Sequence, residues 1–112
     1  MANSAGLLDW LLEGLAPLGG VAARRMFGGH GLFRHGLMFA LVVRDTPYLK
    51  VDASTRAAFE AAGSQPFTYA RQGRTATLGY WQGPGAVRDD ADAGRAWAAA
   101  AWAVALRARR AG

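Results

Sequence analysis

The stretch that decides the fold is Arg24–Val43, RRMFGGHGLFRHGLMFALVV. Its apolar runs, "RMF", "LF" and "LMFALVV", are separated by "GGHG" and "RHG". Glycine reaches positive φ without a Cβ clash, so the His-Gly pairs of the two breaks, His30-Gly31 and His35-Gly36, are read as weaker relatives of the Asn-Gly of a tight turn. The pattern predicts antiparallel strands near 24–27, 31–34 and 37–43. Two chemical readings compete with it. A phosphate-binding glycine loop must lead directly into a helix whose first amides hold the anion. Here a strand pattern follows, and the spacing begun by Gly29 and Gly31 meets Arg34 where the third glycine belongs. A zinc site needs three or four ligands, whereas His30 and His35 are the only histidines and no cysteine exists. The glycines are therefore read as bends of a sheet, and no cofactor or metal is expected.

Working outward, "RDTP" at 44–47 is a turn before a fourth strand near 48–51. "PFTYAR" (66–71) and "TATLGYW" (75–81) are two more strands, joined by "QGR". Between them and the fourth strand, "DASTRAAFEAAG" predicts a short helix. Asp52 or Ser54 caps it, Arg56 and Glu60 pair at i,i+4, Phe59 anchors it, and Gly63 stops it.

A first helix is predicted from Ser4 to about Ala16, capped by Asn3 or Ser4, with Leu8, Leu12 and Leu15 as its buried stripe and Pro17 ending it. After "QGPG" at 82–85 a long helix is predicted from about Asp90 to Ala108, acidic at its start and basic at its end, as the helix dipole favours. At 100° per residue Trp97, Ala101 and Val104 share one stripe, and Trp102 and Leu106 fall on the opposite side. Such a helix has two packing partners. The sheet is one; the first helix is the expected second, with a homodimer contact as the alternative to a monomer.

The expected fold class is α+β: one two-layer domain over 1–112, with an antiparallel sheet of five to six strands, an N-terminal helix, a short middle helix and a long C-terminal helix. A 52% hydrophobic composition suits a folded chain. Lack of cysteine removes disulfides and thiolate chemistry and fits a cytoplasmic location. No apolar run approaches the roughly 20 residues of a bilayer-spanning helix, so no membrane partner is expected. Ser4, Ser54 and Ser64 sit at helix ends, no G-x-S-x-G occurs, and no enzyme is expected.

The net charge of +5 comes from 13 basic against 8 acidic residues. Arg24, Arg25, Arg34, Lys50, Arg71 and Arg74 belong to the sheet or its turns, and Tyr48, Tyr69 and Trp81 offer stacking surfaces on any face left uncovered. That is the case for a nucleic-acid partner. Against it, arginine on a sheet edge deters edge-to-edge aggregation, and arginine use follows genomic composition.

Taken together, "RRMFGG.GLF", "G.MFALV", "YLKVD", "TRAAFEAAG", "PFTY" and "GYW..P", in that order from about residue 6 to 108, closely resemble the N-terminal domain of the TfoX/Sxy family of competence regulators. The resemblance implies a two-layer α+β domain; in longer members it precedes a second helical domain, and those longer proteins help a transcription activator switch on DNA-uptake genes. This sequence reads as a single-domain member. The expected function is regulation by protein–protein contact, with Trp81, Trp102 and Leu106 as anchors. Nucleic-acid binding through Arg24, Arg25, Arg34, Arg71 and Arg74 is the alternative. Met26, Phe27, Gly28 and Gly29 form the family's hallmark bend.

Overall fold

The computed structural model describes residues 5–26, 28–71 and 73–111, with the side chains at 5, 71, 74–78 and 111 outside that description. The expected capping residues Asn3 and Ser4, and Phe27 of the hallmark bend, therefore lie outside the described residues. Six strands form one antiparallel sheet: β1 (Val21–Met26), β2 (Gly29–Arg34), β3 (Leu37–Val43), β4 (Thr46–Lys50), β5 (Pro66–Arg71) and β6 (Arg74–Gln82). Their order is β1-β2-β3-β4-β6-β5, so β5 forms one edge after the single crossover that carries a short helix. The helices are α1 (Ala5–Leu15), α2 (Arg56–Ala61), α3 (Ala86–Asp89) and α4 (Ala91–Ala111), and a 3-10 turn covers Ala16–Leu18. The expected α+β architecture is what forms.

Hairpin turns set the register. His35 and Gly36 both take positive φ, as a two-residue turn matched to strand twist requires. Between β3 and β4 the same geometry falls on Arg44 and Asp45, with φ of 52° and 59°. In β2–β3 the pairing steps from Leu32↔Ala40 to Phe33↔Met38, so Phe39 is an extra residue. The bulge lets both Phe39 and Ala40 join the helix-side core, while Met38 and Leu41 lie on the other face.

Helix-side packing holds the layers together. Leu32, Phe39, Ala40, Val42 and Leu49 of the sheet meet Leu11 and Leu15 of α1, Phe59 of α2, and Ala98, Ala101 and Ala105 of α4. Each fully buried large side chain stabilises by about 1.5–3 kcal/mol. The α1 stripe centres on Leu11 and Leu15, with Leu8 and Leu12 only part-buried. That corrects the expected Leu8–Leu12–Leu15 stripe by a rotation of the helix about its axis. The long helix begins at Ala91, in agreement with the expected start near Asp90, but a short helix that was not expected precedes it. Helical structure resumes at Ala86 as α3, and Asp90 then breaks it with extended φ and ψ. The Asp90 carboxylate accepts from the Asp92 amide at 3.0 Å and caps α4.

The two apolar faces of α4 are both used within the chain. Trp97 packs edge-on against Phe59 at 5.0 Å, and Trp102 packs edge-on against Phe39 at 6.4 Å. α1 and the central strands flank the helix, as the preferred sequence reading had it.

Two staples tie the helical layer. Arg95 donates to the carbonyl of Gly14 at 2.8 Å and pairs with Asp92, satisfying a carbonyl at the C-terminal end of α1. Arg107 Nε donates to Asp52 Oδ2 at 3.0 Å and its Nη2 donates to Ser54 Oγ at 3.1 Å, fixing the loop before α2 to α4. Asp52 also accepts from the Ser54 amide at 3.0 Å, which orders the turn before α2; the expected cap by Asp52 or Ser54 is not formed, because the residue before the helix is Thr55 and its side chain makes no capping bond. Gly63, with φ of 75°, ends α2: its amide donates to the Glu60 carbonyl and that of Ser64 to the Phe59 carbonyl.

Candidate functional site

The sheet face opposite the helices is not bare. Leu41, Phe67 and Tyr80 are buried there, packed by Met26, Met38, Val43, Tyr48 and Tyr69, and no helical residue joins this cluster among the described residues. Its rings are close-set. Tyr48 meets Phe67 edge-on at 4.9 Å, and Phe67 lies 6.2 Å from Tyr69 at 22° from parallel. Two cations rest on rings of the same face: Arg24 over Phe33 at 4.9 Å and Lys50 over Tyr80 at 5.0 Å. Burial pushes the Tyr80 hydroxyl up to about 12, because the phenolate would be desolvated. An open groove of about 590 Å³ along the β5 edge is lined by Val43, Arg44 and Tyr48 on one side and by Phe67, Thr68, Tyr69 and Ala70 on the other.

The charge of the molecule is layered. The strands carry six cations (Arg24, Arg25, Arg34, Lys50, Arg71, Arg74) and no carboxylate. Seven of the thirteen basic residues and all eight acidic ones lie outside the strands, a net −1. The excess positive charge thus belongs to the sheet. The ion pairs Arg56–Glu60, Arg95–Asp92 and Arg107–Asp52 all belong to helices or to the loop before α2.

The expected site residues separate into distinct groups. Arg24 and Arg25 are exposed on edge strand β1, with Arg25 opposite His30 in the register. Arg34 is committed to packing: its guanidinium donates to the carbonyls of Leu18 at 2.6 Å and Gly19 at 3.0 Å, and lies 5.2 Å above Trp102. Arg71 and Arg74 face each other across the β5–β6 turn, and their side chains are outside the description. Trp81 lies on the helix-covered face beneath Arg56, 5.6 Å from its guanidinium carbon. Trp102 is half-buried between Arg34, His35 and Phe39, and Leu106 is half-buried near the end of α4. Of the residues expected as docking anchors, both tryptophans are part-buried and pack within the chain.

The hallmark stretch is a hairpin. Gly28 turns with φ of 73°, and Met26 points to the helix-free face. Gly29 is not a bend. It pairs with Met26 inside the ladder, and a Cβ there would collide with the Val42 carbonyl and with Val43. His30 and His35 stand at opposite ends of β2, and among the described residues no group of three or more metal-ligating side chains forms.

Sequence reasoning missed Trp10. It is the one large apolar side chain classed as exposed among the described residues, at 37%. It borders an open notch of about 290 Å³ formed with Glu13, Gly14, Ala91 and Arg95. It also lines a small apolar recess of about 20 Å³ between α1, α4 and the sheet, with Leu11, Leu15, Phe39 and Ala98. No sequence signal marked Trp10, because its exposure follows from the rotation that places Leu11 and Leu15 in the core.

The fold is thus a two-layer α+β domain with ion pairs among its helices and with cations and rings on its sheet. The chain belongs to the TfoX N-terminal domain family, whose pattern matches residues 13–105. It is similar to the DNA transformation protein TfoX1 of Aliivibrio fischeri (strain ATCC 700601 / ES114), with 36% identity over 64 residues. That match covers 57% of this chain and 31% of the relative, so the chain spans less than a third of the length of that protein. Among the described residues no helix is long and apolar enough to cross a membrane.

Proposed function

We propose that this protein is a regulatory adaptor domain that acts on transcription by docking a protein partner onto its helical layer, by binding and not by catalysis. The observation that carries the reading is Trp10, exposed beside a notch that holds charges of both signs, Glu13 and Arg95. A tryptophan flanking a preformed recess between two helices is the residue type that dominates protein interfaces, where its truncation commonly costs 2 kcal/mol or more. Family membership supports the regulatory role. Trp10 precedes the matched span 13–105, so the anchor is argued from this chain alone.

The test compares transcripts in the native host among wild type, a strain lacking the protein, and one carrying Trp10→Ala. Equal thermal melting first establishes that the variant is folded. The expected result is that Trp10→Ala reproduces the transcript changes of the deletion and loses a partner that co-purifies with wild type. A Trp10→Ala strain indistinguishable from wild type in both readouts would end the reading.

A further inference from the structure

We propose that the helix-free face of the sheet binds single-stranded nucleic acid, with Tyr48 and Tyr69 stacking on bases and Arg24, Arg44 and Lys50 meeting phosphates. The first argument is charge. The strands bear six cations without one carboxylate, and Asp45 is the only acid in the strands and their two-residue turns. Edge protection explains arginines on β1. It does not explain Lys50, because β4 lies inside the sheet between β3 and β6. Lys50 and Arg24 both sit over rings of this face, so cation and aromatic surface occur side by side there.

The second argument is the ring set. Tyr48, Phe67 and Tyr69 form a continuous aromatic row beside the 590 Å³ groove, and Arg44 stands on its rim. Unpaired bases stack on such rings whatever their sequence, whereas a duplex hides its base faces. The backbone at Arg44 adds to this. Arg44 and Asp45 hold left-handed φ without glycine, a conformation of the kind that gathers at binding sites. An acidic peptide would use the cations but gain little from a row of rings, so nucleic acid fits the face better. The inference is independent of the reading of the helical layer: Trp10 lies in α1, on the opposite side of the sheet from the ring cluster.

The experiment is fluorescence anisotropy with a labelled oligothymidine of about 15 nucleotides, the upper range of a single-fold site. Three phosphate contacts predict that log K falls with log salt at a slope of about −2, from roughly −0.7 per phosphate. Tyr48→Ala and Tyr69→Ala should each weaken binding by about 5- to 150-fold, and Tyr69→Phe should retain it. Lys50→Ala should weaken binding and make the slope shallower by about 0.7. Trp10→Ala and the Arg109→Ala/Arg110→Ala double variant should bind as wild type. Circular-dichroism melts confirm that each variant is folded. No binding at about 50 mM salt, or binding that ignores both tyrosines, would overturn the proposal. Competition by duplex DNA or poly-glutamate as strong as by the oligomer would also overturn it, since the face would then be a general polyanion or acidic-protein dock.

Discussion

Arg34 on Trp102 and Lys50 on Tyr80 are the same kind of contact on opposite faces of one sheet. On the helical side the guanidinium also reaches the Leu18 and Gly19 carbonyls, so the pair closes the chain upon itself. On the other side the cation and ring stand in a layer with no carboxylate in its strands. The difference teaches that basic and aromatic residues gain their meaning from the layer they occupy. Where helices supply carbonyls and acids, the contact is internal glue. Where only strands surround it, the same contact lies on the helix-free face, the face proposed above to meet a ligand.

The sharpest way to break this comparison is in the two cores. Phe39 and Leu41 are both wholly buried, but Phe39 faces the helices and Leu41 the ring cluster. Phe39→Ala should cost about 3–5 kcal/mol, because α4 and Trp102 cannot both collapse into the gap. Leu41→Ala should cost about 2–3 kcal/mol, since the flexible thioethers of Met26 and Met38 can fill part of the space. Urea denaturation measures both. Equal losses would mean that the helix-free cluster is as rigid a core as the helical one.

A smaller effect separates two glycines of β2. A Cβ on Gly29 would strike the backbone carbonyl of Val42, whereas one on Gly31 would strike the Met26 and Met38 sulfurs. Backbone cannot yield and a thioether can. Gly29→Ala should therefore cost about 1–3 kcal/mol and Gly31→Ala less than about 1 kcal/mol. The reverse order in the same denaturation series would show that the β2–β3 ladder is looser than the methionine layer.

The number and order of the strands' sequence signals were readable because apolar runs alternate with turns that need positive φ, as at His35-Gly36. The helix-side anchor Phe59 and the i,i+4 pair Arg56–Glu60 were readable for the same local reason. Layer assignment was not. The Phe39 bulge reverses which residues of β3 face the helices, and nothing local marks it. Trp81 and Trp102 looked like anchors because helical and strand periodicity report a face, not what covers it. Trp10 was overlooked because the stripe of Leu8, Leu12 and Leu15 drew the reading, and exposure depends on how α1 is rotated against α4. The candidate site was half legible: Arg24 and the tyrosines stand on one face, while Arg34 and Trp81 are bound up elsewhere.

The two layers should also lose stability at opposite ends of the pH scale. The hydrogen bonds from Arg107, then from Ser54, hold the Asp52 carboxyl at about 2, below its ordinary 3.8. A depressed acid stabilises above its unfolded value, so this contribution is present above about pH 4 and is lost as pH falls through 2. Arg107 is half-exposed, which limits it to no more than about 1 kcal/mol. Tyr80, raised to about 12 by burial, behaves in the opposite sense. Its contribution is present below about pH 10 and fades as pH rises through 12, on the order of 1–3 kcal/mol. Melts of wild type against Asp52→Asn should converge at low pH, and those against Tyr80→Phe should diverge in alkali, with the phenylalanine variant the more stable. Loss of both effects would mean that neither group is held as placed.

The smallest effect joins stability to the proposed binding. Arg44 occupies the first central position of a tight turn at φ of 52°, where asparagine is far better suited than a long side chain. Arg44→Asn should stabilise by about 0.5 kcal/mol, because the left-handed backbone is relieved and the fold is otherwise unchanged. The same substitution removes a cation from the groove rim. Oligonucleotide affinity should therefore fall and its salt slope become shallower by about 0.7, even as the melting temperature rises. Opposite movement of the two quantities is the signature of a residue kept at a conformational cost for a ligand. If stability and affinity instead move together, or affinity does not move, Arg44 is a turn residue only and the phosphate contacts must be sought among Arg24 and Lys50.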